Sequence, residues 1–352
     1  MKLLTPGPVE LHPRILKSLS NNIIYHRGEN ARRLIKSIVE DLKTLHGTTE
    51  GLIAIGPGSG TTSVDSMTWS LIGKRDRVLV ISHGEFGRRL ATTISKTGAE
   101  VEVISEEPGR PVDPSLIIDK SRGFNIIGIV YNETSTGMIY SDLEQLAKRL
   151  CGHVDMFIVD AVSAIGAAEL YMDKWCIDAI ASAPHKAVGA PPGAFIVALN
   201  RGLVKRRRHS VPPSIDAVLH ATLIEERGET PFTPPLNTLY GLREALDMVK
   251  EEGVDGWIKL HRSRVEILYD SMTSILKPLV EKPEYRSNNI AAFTTQIEAS
   301  KIVGYLESRG YRIATGMGEL KSTVIRIGVM GYIGIDDIKT VALLIKEALT
   351  TH

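Results

Sequence analysis

Met156-Phe157-Ile158-Val159-Asp160-Ala161-Val162-Ser163 is a short apolar run closed by a carboxylate and continued by small residues. A second run, Asp178-Ala179-Ile180-Ala181, leads into Ser182-Ala183-Pro184-His185-Lys186 and then Gly189-Ala190-Pro191-Pro192-Gly193. Neither run alternates polar with apolar residues, which is the pattern of strands covered on both faces of a parallel sheet. On either side of them, runs of the same texture occur at Leu52 to Ile55, Val78 to Ile81, Val101 to Ile104, Ile126 to Tyr131 and Ala194 to Leu199. Helical patterns separate several of these. Asn30 is expected to cap a helix with Ile35, Ile38, Val39, Leu42 and Leu45 on one face, stopped by Gly47. Ser141-Asp142-Leu143-Glu144 has the Ser-x-x-Glu form of a capping box. The alternation predicts an α/β fold, a doubly wound and mostly parallel sheet with right-handed crossovers.

Beyond about Tyr240 the texture changes. Long amphipathic helices are expected from Leu239 to Glu251 and from His261 to Leu276. A strand at Val324 to Val329 follows, with helices at Lys301 to Arg309 and Ile335 to Leu349, the makings of a smaller C-terminal α+β domain. The expected organisation is an extended segment over 1–15, a large domain over 16–240 and a small domain over 241–352. No internal repeat is present.

Composition narrows the function classes. The chain has 352 residues, 43% of them hydrophobic, and its 42 Lys and Arg nearly balance 41 Asp and Glu. A balance of this kind gives no footprint for nucleic acid or a membrane surface. The basic run Lys205-Arg206-Arg207-Arg208-His209 is short, and the plain expectation is a solvated face. Cys151 and Cys176 are too few for a disulfide framework and lack metal-ligand spacing, so two reduced thiols are expected. The early Pro-Gly-Pro turn leaves no apolar region of a signal peptide, no apolar run is long enough to span a bilayer, and Leu349-Thr350-Thr351-His352 matches no address signal. Cytoplasmic localisation is the expectation.

Ligands of an open parallel sheet sit outside the carboxyl ends of its strands, and three candidates stand there. Gly56-Pro57-Gly58-Ser59-Gly60-Thr61-Thr62 joins a strand to a helix, and reads either as a structural glycine turn or as a phosphate cup at a helix N-terminus. It is not a Walker loop, since no Gly-Lys-Ser/Thr ends it. Asp160 is either a turn cap or a carboxylate aimed at a protonated ring nitrogen. Lys186 is either a surface lysine or a desolvated amine able to form a Schiff base.

In this order the three resemble the class V group of fold-type I pyridoxal-phosphate aminotransferases, and most of all the alanine–glyoxylate and serine–pyruvate enzymes. The resemblance covers almost the whole chain. It includes Thr5-Pro6-Gly7-Pro8, Tyr25-His26-Arg27, His83-Gly84-Glu85-Phe86-Gly87, Asn132-Glu133-Thr134-Ser135-Thr136-Gly137 and Ile325-Arg326-Ile327-Gly328. It implies that Lys186 holds pyridoxal 5'-phosphate and then moves a proton between substrate and cofactor, while Asp160 keeps the ring nitrogen protonated. It implies Ser59, Gly60, Thr61 and His185 around the phosphate, Thr134 at the ring hydroxyl, and Phe86 and Val162 on the two ring faces. Arg326 would clamp the substrate carboxylate, and Thr233 would reach the phosphate of a partner subunit, making a homodimer whose sites are completed in trans.

The implied activity moves an amino group from alanine or serine to glyoxylate or pyruvate by a ping-pong mechanism, with small-molecule amino acids and 2-oxo acids as partners. Aspartate or an aminophosphonate as substrate is the alternative, as is a lyase of the same fold. A cysteine desulfurase would need a thiol in the C-terminal third, and no cysteine follows Lys186. A non-catalytic binding module would not need Lys186, Asp160 and Arg326 together. Three positions depart from the family pattern: Phe86 where Trp is common, His185 where the closest relatives carry Gln, and Thr230 where animal relatives have a phosphate-binding Tyr.

Overall fold

In the computed structural model, which describes residues 1–208 and 210–351, each of these apolar runs in the first two hundred residues is a strand. They are β1 (Leu52–Gly58), β2 (Arg77–Ser82), β3 (Glu100–Ser105), β4 (Ile126–Val130), β5 (Met156–Asp160), β6 (Ala179–Ser182) and β7 (Gly193–Leu199). They form one sheet in the order β1-β7-β6-β5-β4-β2-β3. β7 runs antiparallel to both of its neighbours, and the remaining pairings are parallel. Side chains of the inner strands serve two cores in alternation. Leu79, Ile81, Ile127, Ile129, Phe157 and Val159 enter one; Val78, Val80, Ile126, Val130, Met156 and Ile158 enter the other. Each such side chain contributes roughly 1.5–3 kcal/mol on burial, which is why apolar continuity persists where a one-faced strand would alternate.

β3 departs from the expectation of burial on both faces. It has a neighbour on one side only, and Val103 is 43% exposed. Its glutamates are taken up by cations, Glu102 by Lys120 and Glu100 by Arg77, and this charge discourages further pairing at the edge.

Neither expected helix cap forms as read. The first long helix is Glu29–His46, with Gly28 at its N-cap, while Asn30 lies inside the first turn and accepts from Arg33. Its end is as expected, at Gly47 with φ 62°. The capping box is absent from helix Leu143–Leu150, because both of its partners are engaged elsewhere: Ser141 donates to the Glu284 carbonyl, and Glu144 pairs with Lys148.

The small domain is an antiparallel sheet of β8 (Lys277–Pro278), β9 (Ile290–Thr294), β10 (Ala314–Thr315) and β11 (Val324–Gly328), ordered β8-β9-β11-β10. Phe293, Ile325 and Ile327 pack there against Leu268, Ile302, Val341 and Ile345 from three helices. The expected boundary after residue 240 falls inside helix Leu236–Glu252, whose Leu239, Leu242, Leu246 and Val249 belong to a core of the large sheet. The N-terminal segment joins the small domain: Lys2–Leu3 pairs with Tyr311–Arg312 and Leu4 enters its core.

Two compositional expectations are corrected. Cys151 and Cys176 are not free thiols but a disulfide, with Cα atoms 5.7 Å apart. Each is the first residue past a helix, Leu143–Leu150 and Met172–Trp175, and the two helix ends meet. The basic run is not merely a solvated face. Arg206 pairs with Asp76, Arg207 with Asp216, and Arg208 donates to the Ile72 carbonyl; His209 lies outside the described residues, as does the terminal His352. Among the described residues, no helix is long and apolar enough to cross a membrane, and no group of His, Cys, Asp and Glu is arranged to hold a metal ion.

Candidate active site

β1, β2, β4, β5 and β6 run in one direction, so their carboxyl ends reach the same edge of the sheet. At the end of β1, Ser59 caps helix Gly60–Leu71 reciprocally: its hydroxyl accepts from the Thr62 N–H at 3.3 Å, and its own N–H donates to Thr62 Oγ1 at 3.0 Å. A Cβ at position 60 would fall 2.6 Å from Val162 Cγ1, so glycine there lets the helix start lie against the loop after β5. The outcome is a helix N-terminus facing a polar cavity, where an anion is favoured.

Asp160 is the last residue of β5 and 7% exposed, and its Oδ1 accepts the Val162 N–H at 2.9 Å. Burial pushes its carboxyl up to about 7; the Val162 N–H opposes this, and the charge of Glu133 adds to it. Lys186 follows β6 in the Pro184-His185-Lys186 loop, and its Nζ donates to the Pro6 carbonyl at 2.5 Å. Gly7, at φ +111°, passes over this side chain, and a Cβ there would sit 2.6 Å from Nζ. Position 7 thus requires glycine for both its backbone and its space. Burial, and next the charge of Arg326, lower the Lys186 amine to about 8. His185 is lowered to about 4 by burial and by Lys186, so its ring is neutral near pH 7, and its buried Nδ1 has no hydrogen-bond partner.

Arg326 projects from β11 of the small domain to the seam with the large one. Its Nη1 donates to the Thr134 carbonyl at 2.9 Å and its Nε to the Thr315 carbonyl at 2.8 Å. It is 8% exposed, and burial lowers its pKa to about 10. Both partners are neutral carbonyls, so the guanidinium is oriented while its charge stays available to an anion.

Ser59, Gly60, Thr61, Phe86, Thr134, Asp160, Val162, His185 and Lys186 line a single cavity of about 200 Å³. Arg326 stands behind its Thr134 side. Thr233 does not join them; it is exposed, in the stretch after Arg227 that precedes helix Leu236–Glu252. Thr230 is buried, and its hydroxyl donates to the Phe232 carbonyl at 2.6 Å.

Sequence reasoning missed other members of the site. Asn132 and Arg89 line the same cavity. Arg89 lies three residues after Phe86 on one helix face, with its guanidinium 4.9 Å from the Phe86 ring centroid, a spacing that the sequence displays. Asn132 bridges to the small domain through Asn289 Oδ1 at 2.9 Å, which no local pattern announces.

A family model described as Aminotransferase class-V matches residues 16–341. An uncharacterized aminotransferase of Methanocaldococcus jannaschii is 29% identical, over 99% of this chain and 92% of that protein. The serine–glyoxylate aminotransferase of Methylorubrum extorquens is 29% identical, over 94% of this chain and 86% of that protein. The crystal structure of ureidoglycine–glyoxylate aminotransferase from Bacillus subtilis matches with a TM-score of 0.92 at 26% identity, covering 99% of this chain and 93% of that one.

Proposed function

The chain belongs to the class V aminotransferases, and we propose accordingly that it moves the amino group of alanine or serine to glyoxylate or pyruvate in two half-reactions. It is a transaminase of fold-type I whose cofactor is pyridoxal phosphate. The cavity has features that fit this group: an anion-favouring helix start that a Cβ at Gly60 would obstruct, an unpartnered buried nitrogen on His185, and a lysine with a lowered pKa. When bound, pyridoxal phosphate supplies an electron sink for the bond broken at the substrate Cα.

The protein's own residues do the rest. Lys186 Nζ anchors the cofactor and later carries the proton that leaves Cα; its lowered pKa keeps a fraction of the amine neutral near pH 7. Asp160, destabilised as an anion by burial, gains from a cation set against it and so holds a proton on the ring nitrogen. Ser59, Gly60, Thr61 and His185 bind the phosphate, Thr134 orients the ring hydroxyl, and Phe86 and Val162 confine the ring between them. Arg326 orients the substrate carboxylate.

The observation that carries this reading is the meeting of Lys186, Asp160 and the Ser59–Thr61 loop in one cavity with Arg326 at its rear. Small donors are favoured because the other cavity arginine, Arg89, leans toward Thr61 on the phosphate side, 3.5 Å from its hydroxyl, away from the carboxylate clamp. A cysteine-dependent lyase has no thiol to use, since both cysteines are in the disulfide. Steady-state screening of amino donors against glyoxylate, pyruvate and 2-oxoglutarate tests the assignment. Alanine or serine with glyoxylate or pyruvate should give the highest kcat/KM. A preference for aspartate or an aminophosphonate would overturn the donor, and no turnover with any pair would overturn the activity.

The homodimer belongs to this proposal. Thr233 is exposed beside Phe232, itself 47% exposed, and the segment is braced by Arg27, which donates to Glu229 at 2.8 Å and to the Pro231 carbonyl at 3.1 Å. A braced, exposed threonine suits a contact to a partner's phosphate. Mixing Lys186→Ala with a Thr233→Ala chain should yield heterodimers with one unmutated site and activity above either parent. Subunit exchange without recovery would assign Thr233 to no site in trans. We place the enzyme in the cytoplasm, where a disulfide is the exception; peptide mapping of unreduced protein from its own cells tests that placement.

A further inference from the structure

Glu133 is fully buried, and four donors converge on its carboxylate. The Phe86 and Gly87 N–H groups donate to Oε2 at 3.1 and 3.0 Å, and the Ser135 N–H and hydroxyl donate to Oε1 at 3.1 and 2.5 Å. Acceptors alone satisfy such a set, so the ionised carboxylate is the form that fits. Burial raises its pKa and the four donors pull the other way.

The sequence explains why these donors need it. Helix Glu85–Ser95 begins at Gly84, which has no side chain to cap it, so the first-turn N–H groups depend on acceptors from elsewhere. The 133–135 segment supplies them, with Ser135 Oγ also accepting the Glu85 N–H at 3.0 Å. The fit depends on position 84 being glycine, because a Cβ there would lie 2.3 Å from Ser135 Oγ and 2.9 Å from Glu133 Cδ. A negative charge at a helix N-terminus is favourable in its own right. The same segment faces the small domain on its other side, where the Thr134 carbonyl accepts from Arg326. One carboxylate is therefore joined to Phe86 through the helix start, to Thr134 through the chain, and to Arg326 through the Thr134 carbonyl.

We infer that Glu133 is a positioning residue that locks Phe86, Thr134 and Arg326 into one register, so that cofactor ring and substrate carboxylate are held relative to each other by a group touching neither. This rests on the roles proposed above for those three residues. Glu133→Gln keeps the shape but turns an NH2 group against N–H donors whichever way the amide faces. In the holoenzyme, the visible circular dichroism of the bound cofactor should fall while its absorbance is kept, and kcat/KM should fall about 100-fold, the size of a misplacement near 1 Å. A lower melting temperature with native dichroism and kcat/KM within about twofold of native would show a merely structural role and overturn the inference. If Glu133→Gln does not fold, Ser135→Ala, which removes one donor and leaves the carboxylate, decides instead: altered dichroism supports the inference and native dichroism overturns it. Phe86→Ala and Arg326→Lys run in parallel separate the two levels. If those are silent, the assigned roles fail and this inference with them; if they act and Glu133→Gln is silent, this inference alone fails.

Discussion

Asp160 and Lys186 reach the cavity from the ends of adjacent strands, whereas Arg326 reaches it across the seam between two sheets. The first pair is placed by strand register: β5 and β6 are hydrogen-bonded neighbours with Asp160 opposite Ala181, and both cores pin those strands from either face. Arg326 is placed by two hydrogen bonds to carbonyls, one in each domain. A wall set by register is rigid because moving it means shearing a sheet. A wall set across a seam holds only while both domains keep their spacing, so the substrate clamp is the adjustable part of the site and the cofactor wall the fixed part.

This contrast predicts unequal penalties. Asp160→Ala should lower kcat by several orders of magnitude with the fold intact, while Asp160→Glu retains far more activity. Near-native kcat in Asp160→Ala would reduce this strand-end carboxylate to a turn cap. On the seam, Arg326→Lys keeps the charge but loses the planar fork. Since truncating one partner of a buried charged pair costs about 2–5 kcal/mol, kcat/KM should fall strongly while cofactor absorbance stays as in the native enzyme. A drop in absorbance as well would mean that the seam also holds the cofactor.

The disulfide gives a third measure, since it closes a loop of 25 residues around β5 and Asp160. Replacing both cysteines with serine should lower unfolding stability by about 3–4 kcal/mol on the chain-entropy account. It should leave kcat near native, because register rather than the crosslink fixes Asp160. A large loss of kcat at unchanged stability would reverse that assignment. The smallest expected effect is one of pH. Burial lowers the Lys186 amine to about 8 from 10.5, so its neutral, reactive form becomes dominant above about 8. The rate at which apoprotein takes up pyridoxal phosphate should rise with pH and level off above that value. A profile still rising toward 10.5 would place Lys186 in water.

What could be read from the sequence follows the same division. A strand that ends in a functional residue leaves a local trace, an apolar run closed by Asp160 or leading to Lys186, and those positions were identifiable before any contact was known. The reversal of β7 left no trace, because Ala194 to Leu199 is equally apolar in either direction. The meeting of Cys151 with Cys176 depends on two helix ends docking, which spacing does not encode. Glu133 was visible only as part of Asn132-Glu133-Thr134, since its importance lies in an uncapped helix that comes near it in space. Arg326 was legible through resemblance rather than physics: nothing in Ile325-Arg326-Ile327 says that its guanidinium would meet the Thr134 carbonyl.

Borohydride reduction of the cofactor-loaded protein, followed by peptide mapping, bears most directly on the assignment of this cavity as the reaction centre. The account predicts that the cofactor becomes permanently attached to the peptide containing Lys186, and that Lys186→Ala neither takes the label nor turns over substrate. Label on a peptide carrying any other lysine, or undiminished turnover by Lys186→Ala, would contradict it.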